Sequence, residues 1–187
     1  MRVALALALS AAPLAAQTPP SLAVAPSGRA TTEVSLSPPR VQGQPAPAPL
    51  KIRIDYGQPH IRGRQILGTL VPYDSVWRTG ANSSTTLTTE VDLLVGGVEV
   101  PKGAYSLYSL PTRGGWLLIV NRNTGQWGTE YDKAHDLARI PLRSRTLNES
   151  VESLSIVLQP DNQPPAKGVL RFSWSDFELS TDWRLKP

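Results

Sequence analysis

Most of this chain falls into short segments of alternating polar and apolar residues, separated by turns rich in glycine and proline. In the clearest case, Lys51 to Tyr56, the alternation places Ile52, Ile54 and Tyr56 on one face of an extended strand. Such segments recur about every 8–12 residues, a spacing typical of all-β folds. We therefore expect an all-β protein, an antiparallel two-sheet β-sandwich of about nine or ten strands. A β-barrel is the alternative.

Two stretches indicate how strands follow one another. Thr85 to Val95 meets a second strand across Gly96-Gly97, and two glycines that accept positive φ favour a type I′ hairpin. Trp116 to Val120 is apolar on both faces, which is typical of a central strand. Later strands place three apolar sets on single faces: Leu154, Ile156 and Leu158; Leu170, Phe172 and Trp174; and Phe177, Leu179 and Trp183.

One segment, Tyr131 to Arg139, has helical character, so we expect at most one short helix. Asp132, His135 and Asp136 could approach one another on such a turn, as metal ligands do. Groups of this kind are common by chance, and a solvated short helix with an N-terminal Asp cap is the favoured interpretation. We therefore predict no metal site and no cofactor.

The first sixteen residues have the order of a secretory signal peptide. Arg2 gives a positive start, residues 3–9 form an apolar run, and small residues follow up to Ala16. That run is shorter than the roughly 20 residues a membrane span needs, so we expect export without stable membrane insertion. The predicted organisation is a signal peptide over 1–16, a flexible leader over 17–30 and a β-sandwich domain over 31–187, with a first edge strand from Thr31 to Leu36. The predicted location is the periplasm or the cell exterior.

Charge and cysteine content exclude further classes of protein. Of 19 basic residues, Arg2 belongs to the predicted signal peptide, which leaves 18 against 15 acidic residues, spread along the chain. Nucleic-acid binders concentrate their basic residues on one face, so nucleic acid is not an expected partner. The chain has no cysteine, which excludes disulfides and thiolate chemistry. A domain of about 150 residues buries enough surface to fold without such links.

No common enzyme signature is present in the sequence. It contains no nucleophile elbow, phosphate-binding loop, dinucleotide glycine pattern or H-E-x-x-H motif. The chain has two histidines, His60 and His135, so a hydrolase would use one of them with a nearby acid. A periplasmic hydrolase of this kind is the alternative function.

The segment from Tyr56 to Thr86 concentrates residue types that bind small ligands. Guanidinium groups suit carboxylate, phosphate or sulfate, and indole faces suit sugars or cations. Because binding residues tend to lie on loops of a rigid scaffold, we expect a non-catalytic envelope module for a small anionic or sugar-like ligand. The opposing interpretation is structural, with Trp77 closing the sandwich and Arg78 and Asn82 binding loop carbonyls. The candidate ligand-binding residues are Arg62, Arg64, Trp77, Arg78, Thr79 and Asn82.

Blocks in and after this segment resemble a bacterial family catalogued as domain of unknown function 2911. The most specific block is Trp77 to Asn82, and others are Arg62 to Arg64, Gly68 to Tyr73, Pro101 to Leu107 and Gln126 to Gly128. The resemblance covers about residues 31–187. It implies an exported, β-rich protein and implies no reaction. A third functional alternative, a structural or accessory subunit of an envelope assembly, predicts an exposed apolar patch.

Overall fold

The computed structural model describes residues 22–161 and 163–187 of the chain. These residues form nine β-strands and one short 3₁₀ turn, which confirms the all-β class with at most one short helix. The predicted signal peptide over 1–16 lies outside the described residues. The strands are β1 (Ser27–Leu36), β2 (Leu50–Pro59), β3 (Thr85–Thr89), β4 (Leu93–Val95), β5 (Val98–Val100), β6 (Gly103–Thr112), β7 (Gly115–Asn121), β8 (Asp136–Asp161) and β9 (Lys167–Leu185); the 3₁₀ turn is Lys133–His135.

The strands lie in one continuous antiparallel sheet in the order β1-β2-β3-β6-β7-β8-β9-β4-β5. The predicted division into two separate sheets is not confirmed, because the 26-residue strand β8 takes part in both halves. Its first part, residues 136–142, pairs with β7, and the part from Arg143 onward pairs with β9. β7 lies between β6 and β8, which confirms the central strand expected there.

The later half of β8 closes the structure by lying against β1 and β2. The Tyr56 phenol oxygen accepts a hydrogen bond from the Ile156 backbone N–H at 3.1 Å. The Thr32 hydroxyl accepts one from the Leu158 N–H, also at 3.1 Å. These side chains satisfy backbone donors that an edge strand would leave unpaired. The sheet is therefore rolled around one hydrophobic core.

The predicted alternation of buried residues holds along the strands. Ile52, Ile54 and Tyr56 are buried, as are the three apolar sets expected on β8 and β9. In β9 the buried face shifts by one residue between Trp174 and Phe177, where Ser175 has φ 54°. An irregular residue of this kind keeps both tryptophan and phenylalanine directed to the core. Phe177 then stacks on Trp116 with ring centroids 5.2 Å apart.

Strand boundaries differ from the prediction at the start of the domain. β1 begins at Ser27, so residues 27–30 of the predicted leader are strand and the predicted boundary at 31 is four residues late. They are ordered because they pair with residues 56–59 of β2, and because Arg29 binds Asp55 across the pair. Pairing with a neighbouring strand thus outweighs the local composition.

The predicted strand from Thr85 to Val95 is two strands. β3 ends at Thr89 and pairs with β2 and β6, whereas β4 begins at Leu93 and pairs with β5 and β9. The hairpin at Gly96 and Gly97 is confirmed, with φ values of 55° and 84°. The predicted helical character of residues 131–139 is limited to the 3₁₀ turn, because β7 pairs with the chain from Asp136 onward.

Candidate functional site

The connection between β2 and β3 carries the predicted site and is firmly attached to the core. Ile66 is 1% exposed and Val71 is fully buried, so both anchor the connection from within. Trp77 exchanges two backbone hydrogen bonds of 2.8 Å with Ser109 of β6. The connection therefore behaves as part of the scaffold, as a preformed binding site requires.

Two glycines let residues 77–82 lie directly on β2. The Ala81 N–H donates to the Gly57 carbonyl at 3.1 Å, and a Cβ at Gly57 would overlap the Ala81 carbonyl. A Cβ at Gly80 would lie 2.7 Å from the Thr85 Oγ1. The absence of side chains at both positions is what permits this close backbone approach.

Thr79 supports the loop from inside. It is 1% exposed, and its hydroxyl lies 2.7 Å from the Ser109 hydroxyl. Its carbonyl accepts a hydrogen bond of 2.9 Å from the Thr85 hydroxyl. Its φ of 50° is unusual for a β-branched residue, so the surrounding contacts hold it in a strained backbone conformation.

The neighbouring residues Trp77 and Arg78 line a pocket of about 340 Å³. Four aromatic side chains contribute to its lining: Trp77, Tyr108, Tyr131 and Trp174. Trp77 stacks on Trp174 with centroids 5.5 Å apart, and Tyr108 meets Tyr131 edge to face at 4.9 Å. The volume lies within the range of about 300–1,000 Å³ that small-ligand pockets occupy.

Arginine supplies the charge of this pocket, which we call the arginine pocket. Arg64 and Arg78 line it, and no carboxylate does so among the described residues. Arg64 donates to the carbonyls of Ile61 and His60 at 3.0 and 2.6 Å. The half-buried Arg78 makes no side-chain hydrogen bond or ion pair with any described residue. Its guanidinium is the group most available to an anion.

The stem of Arg78 packs against Gly128. The Gly128 N–H donates to the Asn82 carbonyl at 2.9 Å, which joins this loop to the one that carries Arg78. A Cβ at Gly128 would lie 3.0 Å from the Arg78 Cβ. Gly128 therefore leaves the space that the arginine stem occupies.

Tyr131 is held in place by charged residues behind the pocket wall. Its hydroxyl donates to Asp136 at 2.7 Å and accepts from Arg139 at 2.7 Å, and Arg139 also binds Asp136 at 2.9 Å. Burial raises the pKa of Tyr131, and the Asp136 carboxylate raises it further, to about 12. The hydroxyl is therefore neutral and engaged, and the ring is the part presented to the pocket.

Three of the six predicted residues line the pocket: Arg64, Trp77 and Arg78. Thr79 and Asn82 belong to the supporting loop, and the Asn82 amide donates to the Ser27 carbonyl at the pocket rim at 3.2 Å. Arg62 is exposed, and its backbone N–H binds the Glu152 carboxylate at 2.9 Å.

Sequence reasoning missed Tyr108, Gly128, Tyr131 and Trp174, which come from distant parts of the chain. Among these, Gly128 and Tyr131 lie in blocks of the family resemblance, which is a signal that the sequence offers.

Neither histidine lines this pocket. The His60 Nδ1 lies 2.7 Å from the Ser153 hydroxyl, and the His135 Nδ1 lies 3.0 Å from the Asp132 carboxylate on an exposed turn. The hydrolase alternative requires a histidine and its partner inside a cleft, so it would have to use a different part of the surface from this pocket.

Two further properties concern metals and membranes. Within residues 22–161 and 163–187, no group of three or more His, Cys, Asp or Glu side chains could hold a metal ion. Over the same residues, no helix has the length and apolar character to cross a bilayer.

Comparison with protein families gives one match, to a family described as "Protein of unknown function (DUF2911)", over residues 37–182. A search of curated proteins found no match. A search of solved structures found none either.

Proposed function

The chain belongs to the DUF2911 family of proteins of unknown function, and we propose from its site that it is a non-catalytic module that binds a small anionic ligand. The observation that carries the proposal is Arg78, a half-buried residue of the pocket lining whose guanidinium is unpaired among the described residues. A partly desolvated cation without a counter-ion is unfavourable, and an anionic ligand would relieve that penalty.

The aromatic lining narrows the ligand further. The half-buried Tyr131 ring offers a flat apolar surface, which suits the face of a sugar or another ring, and the buried Trp77 and Trp174 add apolar lining. We therefore expect a ligand with an anionic group, directed to Arg78, and a flat or apolar portion on the aromatic wall. A sugar acid meets both requirements.

The proposed setting is the bacterial envelope or its surroundings. It rests on the order of residues 1–16, which have a positive start, an apolar run and small residues at the end. Fractionation of cells that express the full chain would test this. Recovery of the intact chain from the cytoplasm would contradict it.

A titration by calorimetry tests the binding proposal. The probes are acetate, phosphate, sulfate and glucuronate, with glucose as the uncharged comparison. We expect at least one anion to bind wild type and to lose about tenfold or more in affinity on Arg78→Gln, as for one charge-assisted contact. Arg40→Gln is the matched control, because Arg40 is exposed and outside the pocket.

Two results would contradict the proposal. One is that no anion binds to folded wild type. The other is that Arg78→Gln and Arg40→Gln alter affinity equally, because binding would then reflect overall charge. Circular dichroism of each variant establishes that the fold is retained.

A further inference from the structure

A second pocket of about 490 Å³ adjoins the arginine pocket and shares two of its lining residues, Thr129 and Tyr131. The second pocket is also lined by amides, a hydroxyl and two carboxylates, from Asn123, Thr124, Gln126, Glu130 and Asp132, and by no cation among the described residues. The two pockets therefore share part of their wall, and the charged side chains that line them are of opposite sign.

The carboxylates of the second pocket differ in their availability. Asp132 is engaged, since it accepts from the Ala134 N–H at 2.9 Å and lies 3.0 Å from the His135 Nδ1. Glu130 is exposed, and its carboxylate makes no hydrogen bond or ion pair with any residue that the structure describes. Glu130 is thus the unpaired charge of the second pocket, as Arg78 is of the arginine pocket.

Two observations concern negative charge and acceptors around the residues that line these pockets. Burial raises the pKa of Tyr108 in the arginine pocket, and the negative charge of nearby Glu130 raises it further. Gln126, in the second pocket, has a buried Oε1 without a hydrogen-bond partner. A positively charged donor on a ligand would complement the exposed Glu130 carboxylate.

We propose that the two pockets form one extended site for a small zwitterion, with its anionic group at Arg78 and an ammonium group at Glu130. The body of the ligand lies against the Tyr131 ring, which Asp136 and Arg139 hold in position. Amino acids, short peptides and amino-sugar acids share this chemistry. The inference rests on the proposed function and adds a positive charge to the anionic ligand proposed there.

Matched probe pairs that differ only in the amine test the inference. They are ε-aminocaproate and caproate, diglycine and N-acetyl-diglycine, and muramic acid and N-acetylmuramic acid. In wild type, we expect at least one probe with a free ammonium group to bind about tenfold or more tightly than its anionic partner, which lacks that group. The pair that shows this preference indicates whether the ligand is of the amino-acid, peptide or amino-sugar class.

Glu130→Gln should reduce this preference to about one, because it removes the contact with the ammonium group, which the anionic partner lacks. Glu149→Gln is the matched control, because it removes a charge from an exposed position on β8, outside both pockets. That control should keep the preference.

The inference is overturned if the members of every pair bind equally, or if Glu130→Gln keeps the preference. In either case, loss of anion binding in Arg78→Gln would leave the proposed function standing. If neither these probes nor simple anions bind, the proposed function fails, and the zwitterion site fails with it.

Discussion

The side chain of Arg78 occupies the space beside Gly128 that any side chain at position 128 would need. A Cβ at that position would lie 3.0 Å from the Arg78 Cβ and 2.7 Å from the Asn82 carbonyl oxygen. The carbonyl belongs to the backbone and cannot move aside as the end of a flexible side chain would. The position of the pocket cation therefore depends on a glycine in a different loop.

Gly128→Ala should weaken anion binding about tenfold or more, because the new methyl group displaces either the arginine stem or the loop. Overpacking should also reduce the free energy of unfolding by about 1–3 kcal/mol. Calorimetry and urea denaturation measure the two effects. Gly114→Ala is the control, since a Cβ there meets open space. Wild-type affinity in Gly128→Ala would show that Arg78 does not depend on this packing.

Thr79 offers a test of backbone strain, because its φ is 50°. Thr79→Ala and Thr79→Gly both lose the hydrogen bond with Ser109, so they differ only in backbone freedom and in the one methyl group that alanine keeps at this buried position. We expect the glycine variant to be more stable by about 1–2 kcal/mol, because only glycine adopts this conformation without strain.

The same pair of substitutions at Thr88, an exposed residue within β3, supplies the comparison. There alanine should be the more stable variant, by about 0.5–1 kcal/mol. Urea denaturation of all four proteins gives the two differences. Equal stability of the two Thr79 variants would mean that residue 79 is not strained.

The alternation of residues such as Leu154, Ile156 and Leu158 predicted the buried face because a strand buries one side whichever strand it pairs with. The same pattern could not predict that β8 would run through 26 residues and join both halves of the sheet. Strands that pair with each other are distant in sequence, so the local composition of one strand does not predict which strand it pairs with. The early start of β1 at Ser27 has the same origin.

For the candidate site too, local sequence predicted one segment but not the distant residues that complete the pocket. The block from Trp77 to Asn82 was located because it combines an aromatic ring, a guanidinium and an amide around a glycine. Its neighbours Trp174 and Tyr131 reach the pocket through strand order, which no local pattern encodes. Thr79 turned inward because a left-handed backbone conformation redirects its side chain, and a sequence does not show such a conformation at a threonine.

Tyr56→Phe tests the bond that closes the rolled sheet. The change removes the acceptor of the Ile156 N–H and leaves a buried donor unsatisfied. We expect the free energy of unfolding to fall by about 1–3 kcal/mol. Tyr73→Phe is the matched control, because Tyr73 is exposed and water can replace its contacts. Equal stability of the two variants, measured by urea denaturation, would rule out a stabilising role for this bond.

Acid should destabilise the β1–β2 pair through Asp55. Burial alone would raise the pKa of Asp55, but hydrogen bonds from Arg53, Arg29 and Thr31 outweigh burial and lower it to about 2. A carboxyl with a lowered pKa stabilises the fold above its ordinary pKa of 3.8, and this contribution is lost as the pH falls towards about 2.

Thermal unfolding of wild type and Asp55→Asn between about pH 5 and pH 2 measures the contribution. The variant should be less stable at pH 5, and its midpoint should fall less on acidification. A parallel fall in both proteins would assign the acid sensitivity to other carboxyls. Glu178 is one of these, because its hydrogen bond with Arg145 also lowers its pKa.

The hydroxyls of Tyr56 and Thr32 do more than hold the two ends of the sheet together. The backbone donors of Ile156 and Leu158 lie on the same edge of one strand, and exposed in a row they would form a template for strands of other molecules. The rolled closure therefore keeps this edge from pairing with strands of other molecules. Variants that lose these hydroxyls should be judged by their tendency to aggregate as well as by their melting temperature.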